Sequence, residues 1–99
     1  VRVIRSFKDP GTEDIFNGRD TKSARRCCSR EVWPIAARKL EQIDSAVWLD
    51  DLRRPPGNRL EALAGTRLGQ LSIRINDRYR ICFIWTDKGP EEVEIVDYH

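Results

Sequence analysis

From Leu71 onward the chain alternates apolar and polar positions. Leu71, Ile73 and Ile75 are separated by Ser72 and Arg74 and followed by Asn76, while Tyr79, Ile81, Phe83 and Trp85 are separated by Arg80, Cys82 and Ile84. A period of two is that of a strand with one buried face. Two strands therefore meet at Asn76-Asp77-Arg78, and a third, Glu92 to Tyr98, returns after a turn at Asp87-Lys88-Gly89-Pro90. Upstream the period lengthens. Trp33, Ala36, Ala37, Leu40, Ile43 and Val47 lie three and four apart, opposite Arg38, Lys39, Glu41 and Gln42, the stripe of an amphipathic helix that starts near Ser29. Pro34 must either kink that helix or restart it. Shorter helical turns are predicted over Thr12 to Gly18 and, capped by Asp20, over Thr21 to Arg26. Val1 to Phe7 reads as a first strand, and Pro55-Pro56-Gly57-Asn58 must be a loop. At 99 residues the chain supports one core. The expectation is a small single α+β domain over residues 1–99, an antiparallel sheet of about four strands with the helices of the N-terminal half packed on one face.

Turn length decides which side chains meet, because directly opposed residues of an antiparallel pair share a face. A three-residue turn over Asn76 to Arg78 pairs Ile75 with Tyr79, Ile73 with Ile81 and Leu71 with Phe83, one coherent apolar face. The same register sets Arg74 against Arg80 on the other face. Like charges so placed are unfavourable, and a sheet without a use for them is better off without them, so they predict an anion site. Pairing Phe83 with Ile95 and Trp85 with Val93 extends the pattern and puts Tyr98 opposite Arg80. The competing expectation is that Glu94 pairs with one of these arginines and that Tyr98 simply covers a flat sheet.

Charge sharpens this picture only when the chain is divided. The net charge is +2, yet residues 53–80 hold seven arginines (Arg53, Arg54, Arg59, Arg67, Arg74, Arg78 and Arg80) against Glu61 and Asp77. Arginine's planar fork suits phosphates and stacks on bases. Three cysteines, two of them adjacent, with a single histidine suit neither a disulfide framework nor a zinc site. No metal and no cofactor are expected. No apolar run is long enough to span a bilayer, and the first residues are too polar for a secretory signal, so a cytoplasmic protein without a membrane partner is expected.

RNA carries its own nucleophile, the 2′-OH, so an RNA-cleaving site needs no metal. It needs a group to take or steer the 2′ proton, positive charge on the phosphate and a donor for the leaving 5′ oxygen. His99, the only histidine, can act as acid or base near neutral pH; arginine supplies charge, and tyrosine can donate, accept or stack. His99, Tyr98, Arg74 and Arg80, with Asp97 to orient the imidazole, make a candidate site, provided that the terminus curls His99 toward the arginine face.

The stretches GTEDIFNG (11–18), ARKLEQID (37–44), LDDLRRPPGNRLEALAG (49–65), QLSIRINDRYRICFIW (70–85) and VEIVDYH (93–99) resemble the HigB toxins of the RelE/ParE superfamily. The resemblance implies a type II toxin, a ribosome-dependent endoribonuclease that cleaves mRNA in the 30S A site by metal-independent 2′-OH attack. It also implies neutralisation by a HigA-type helix-turn-helix antitoxin, with operator DNA bound only through the antitoxin complex. Asp97, Tyr98, His99 and Arg74 match the family's catalytic positions, and Arg80, Arg67, Arg59, Arg54 and Asn76 are the RNA- and phosphate-binding candidates. Many relatives carry a lysine where Ala64 stands, an aromatic at Leu71 and a basic residue at Ile84; Arg67 is the candidate to compensate for the lysine. The alternative is a non-enzymatic ParE-like toxin or binding module that inhibits a topoisomerase.

Overall fold

The structure, a computed structural model, describes residues 3–98; the expectations placed on Val1, Arg2 and His99 lie outside the described residues. The helical half comes first. Helix α1 (Pro10–Phe16) opens on a proline, whose missing N–H costs nothing in a first turn. Helix α2 (Lys22–Cys27) is capped by Thr21, whose Oγ1 accepts from the Ala24 N–H at 3.0 Å. Asp20, the expected cap, instead pairs with Arg25 and Arg30. The reason is local: the Thr21 hydroxyl donates to Asp14 at 2.6 Å, leaving its lone pairs aimed at the helix start. Gly11 lets α1 and α2 touch, since a Cβ there would lie 2.5 Å from the Ser23 carbonyl oxygen.

A 3-10 turn over Arg30–Val32 precedes helix α3 (Trp33–Ser45), which carries Pro34 in its first turn. Of the two readings of Pro34, restart is the one observed. Ala36, Leu40 and Ile43 are buried as the stripe requires. Val47 leaves the stripe and is exposed, because the helix ends at Ser45 and Ala46 is already extended.

The sheet has four antiparallel strands in the order β1-β2-β3-β4: β1 (Glu61–Ala62), β2 (Leu71–Arg74), β3 (Tyr79–Thr86) and β4 (Gly89–Asp97). Ile73, Ile81, Phe83, Val93 and Ile95 from one face pack with Leu40, Ile43 and Leu52 into the core. The fourth strand is not the expected one. The N-terminal segment runs beside β4 as a single parallel bridge, Phe7 to Val93, with Arg5 N–H donating to the Pro90 carbonyl and Lys8 N–H to that of Val93. Pro90 has no N–H to return, and Glu92 bulges at φ 53 with its N–H bound to Ser6 Oγ, so a regular ladder cannot form there. The two-residue β1 completes the sheet at the opposite edge.

The β2–β3 register is the expected one, with Leu71 opposite Phe83, Ile73 opposite Ile81 and Arg74 opposite Arg80. The β3–β4 register is not. Arg80 faces Val96, Ile81 faces Ile95 and Trp85 faces Pro90, in place of Phe83 with Ile95, Trp85 with Val93 and Tyr98 with Arg80. The turn is tighter than expected: Thr86 pairs with Gly89, leaving Asp87 and Lys88 alone at the tip, with Thr86 Oγ1 donating to the Gly89 carbonyl at 2.6 Å. A bulge opposite Phe83 then moves the register back by one residue. Toward the C-terminus the net slip is even, so Tyr98 remains on the face of Arg80 although it no longer stands across from it.

Candidate functional site

The face of the sheet away from the helices carries a cleft of about 290 Å³, lined by Arg59, Glu61, Arg74, Asn76, Asp77, Arg80 and Tyr98. The opposed pair Arg74 and Arg80 forms its floor. Each has a carboxylate beside it, which is how the sheet tolerates the repulsion. Arg74 Nη2 pairs with Asp77 Oδ1 from the turn, and Arg80 Nη2 lies 3.6 Å from Glu61 Oε1 on β1.

Arg80 is the more embedded of the two, its side chain 11% exposed. Its Nε donates to Ser72 Oγ at 2.7 Å and its Nη2 to the Arg59 carbonyl at 2.7 Å. The guanidinium also lies 6.0 Å from the Tyr98 ring centroid, within cation–π range. Tyr98 is held at the strand end by its N–H, which donates to the Arg78 carbonyl at 2.6 Å, and its side chain is exposed. It therefore presents a ring on which a base can stack.

Asn76 lines the cleft, but its Oδ1 accepts from the N–H groups of Arg78 and Tyr79 at 2.9 and 2.7 Å. Such Asx bonding is what makes the three-residue turn. Arg59 enters from the loop before β1, in the left-handed region at φ 46, ψ 56.

Three candidates lie elsewhere. Arg67 Nη1 donates to Glu94 Oε1 at 2.7 Å and to Gln70 Oε1 at 3.0 Å, so Glu94 is taken by Arg67 rather than by Arg74 or Arg80. The Glu94 bond is also the main reason that the Arg67 pKa is pushed up. Arg54 is exposed in the loop after Leu52, near Asp51. Asp97 stands opposite Tyr79, on the other face from Tyr98, and its Oδ2 accepts from Arg78 Nε and Nη2 at 3.1 and 2.8 Å. That contact pushes the Arg78 pKa up.

Among the described residues, then, the fold brings together Arg59, Arg74, Asn76, Arg80 and Tyr98, and adds two acids that pattern reading missed. Asp77 was legible, three residues after Arg74 in the turn. Glu61 was not, because a two-residue strand is too short to show a period. Chemically the cleft offers guanidinium groups for a phosphodiester, a phenol at its edge and carboxylates that restrain the arginines.

A model of the family described as the RelE-like toxin of type II toxin-antitoxin system HigB matches residues 5–99. A protein of Vibrio cholerae serotype O1 named Toxin HigB-1 is 40% identical over 81 residues, 82% of each chain. An uncharacterized protein of Haemophilus influenzae is 38% identical over 77 residues, 78% of this chain and 73% of the other.

Proposed function

This chain belongs to the HigB-like family of RelE-like type II toxins, and from that premise we propose that it is a ribosome-dependent endoribonuclease that cleaves mRNA. A type II toxin has an antitoxin partner; the one proposed here is a HigA-type helix-turn-helix protein, with operator DNA bound only through the complex. The proposed site of action is the 30S A site, in the cytoplasm.

The observation that carries this reading is the opposed Arg74–Arg80 pair with Tyr98 beside it in one cleft. In the proposed reaction the RNA 2′-OH loses its proton and attacks the adjacent phosphorus. The bond to the 5′ oxygen breaks, that oxygen takes a proton, and a 2′,3′-cyclic phosphate remains. Arg74 and Arg59 neutralise the charge that builds on the non-bridging oxygens. Tyr98 stacks on or donates to the substrate, and His99, with Asp97, serves the proton transfers.

Ribosomes programmed with a defined message test this directly. The parent is expected to cut within the A-site codon, and His99→Ala and Arg74→Ala to cut at least ~100-fold more slowly. Variants as fast as the parent would remove the assigned residues from the mechanism. Growth arrest with intact mRNA and damaged DNA would instead favour a topoisomerase as target.

A further inference from the structure

Arg59 is an arginine where a loop would ordinarily place glycine or asparagine. Its φ of 46° and ψ of 56° put it in the left-handed region, and its long side chain cannot offset that strain locally as a short polar one can. Strain of this kind survives only where the surroundings over-determine it.

The surroundings here are a brace on each side. On one side is Asn58, fully buried. Its Nδ2 donates to the Leu52 carbonyl at 3.1 Å and to Gln42 Oε1 at 3.0 Å, and its Oδ1 accepts from Lys39 Nζ. Lys39 and Gln42 both belong to α3, so the loop is tied to the helical layer. Lys39 is partly desolvated in this position, and that burial, with Arg38 and Arg74 nearby, pulls its pKa below the ordinary lysine value. On the other side the Arg59 carbonyl accepts from Arg80 Nη2 at 2.7 Å, tying the loop to the sheet. Between these anchors the Arg59 side chain is exposed along the cleft. The ion pairs of the cleft engage Arg74 and Arg80, and among the described residues none involves Arg59.

We propose that the half-buried Lys39–Asn58 contact is a positioning device that holds Arg59 in a strained, preformed pose to grip the RNA backbone phosphate, making Lys39 and Asn58 positioning residues for cleavage. This inference rests on the cleavage reading above and deepens it. A guanidinium already in place spends no binding energy on ordering a loop when the substrate arrives.

The experiment is a double-mutant cycle on ribosome-dependent cleavage, measured at saturating programmed ribosome, with melting temperature and antitoxin binding recorded for every variant. Arg59→Gly is expected to slow cleavage at least ~10-fold while leaving the melting temperature equal or higher, because it removes the grip and the strain together. Arg59→Asn, which tolerates the same backbone, should match it. Lys39→Met is expected to cost about tenfold in the parent but less than about twofold on top of Arg59→Gly, since there is then no arginine left to position. Lys39→Gln, which retains a donor for Asn58 Oδ1, should recover most of the rate and also serves if Lys39→Met folds poorly. Equal losses from Lys39→Met in both backgrounds, or an Arg59→Gly variant as fast as a cleaving parent, would overturn this inference alone. A folded, antitoxin-binding parent that leaves ribosome-bound message intact would overturn the cleavage reading and this inference with it.

Discussion

Arg80 reaches across β2 and donates from Nη2 to the backbone carbonyl of Arg59 at 2.7 Å, so one arginine of the cleft fixes where another one starts. The same guanidinium serves Ser72 Oγ through Nε and lies against the Tyr98 ring. Its Nε and Nη2 donors are directed at the protein itself, so that it holds the walls of the cleft together.

Replacing Arg80 by lysine should therefore cost more than its conserved charge suggests. A single ammonium cannot satisfy Ser72 Oγ and the Arg59 carbonyl in the geometry of a planar fork. The expected result for Arg80→Lys is a loss of ~1–2 kcal/mol in urea unfolding at unchanged m-value, together with at least ~10-fold slower cleavage.

Gly89 closes the β3–β4 hairpin at φ +131, and a Cβ on it would run into the Val3 carbonyl oxygen. Backbone strain and a clash with backbone coincide there, and neither can be relieved by a side-chain movement. Gly89→Ala should destabilise the fold by ~2–4 kcal/mol, read as a fall in melting temperature, whereas Gly57→Ala, with open space around it, should leave that temperature within a degree or two.

Asp51 caps the turn after α3 by accepting from the N–H groups of Val47 and Trp48, both at 3.0 Å. The Trp48 bond is the main cause that holds its pKa below the ordinary carboxylate value. A carboxylate depressed on folding stabilises above its unfolded pKa, near ~3.9, and loses that contribution as pH falls through the folded value. Asp51→Asn is expected to melt below the parent at pH 7, with the gap closing as pH falls through and below that range; a constant gap would contradict the assignment.

The three cysteines should react unequally. Cys27 is partly accessible, and a hydrogen bond from the Cys28 thiol is the main cause that lowers its pKa. Cys28 is held protonated by that same bond and by burial, and burial pushes Cys82 up. Alkylation of the native protein should label Cys27 first, at a pH below the ordinary thiol value of ~8.5. Labelling of Cys28 and Cys82 should require urea, as peptide mass spectrometry would show.

Much of the architecture was legible because it is local. The alternation from Leu71 to Trp85 and the Asn76–Arg78 turn were enough to place Ile73 on Ile81 and Arg74 on Arg80. The missing N–H of Pro34 likewise narrowed that helix to a kink or a restart, of which the structure shows the restart. What misled was equally specific. A period-two reading of Val1 to Phe7 could not know that its neighbour would present Pro90 and a bulged Glu92, and the β3–β4 register depended on a turn whose length Thr86 sets through its own hydroxyl.

By itself, then, the sequence determined the fold class, the separation of a helical layer from a sheet, and the face that would gather Arg74, Arg80 and Tyr98. Side-chain period depends only on neighbours along the chain, and an even register slip leaves it intact. Only the tertiary structure decided which arginines share the cleft. Arg67 went to Glu94, Arg80 to Ser72 and the Arg59 carbonyl, and Arg59 into a left-handed pose braced by Asn58. Those outcomes turn on contacts between residues distant in the chain, where the partner that comes within hydrogen-bond distance claims the guanidinium, and no local pattern records that distance.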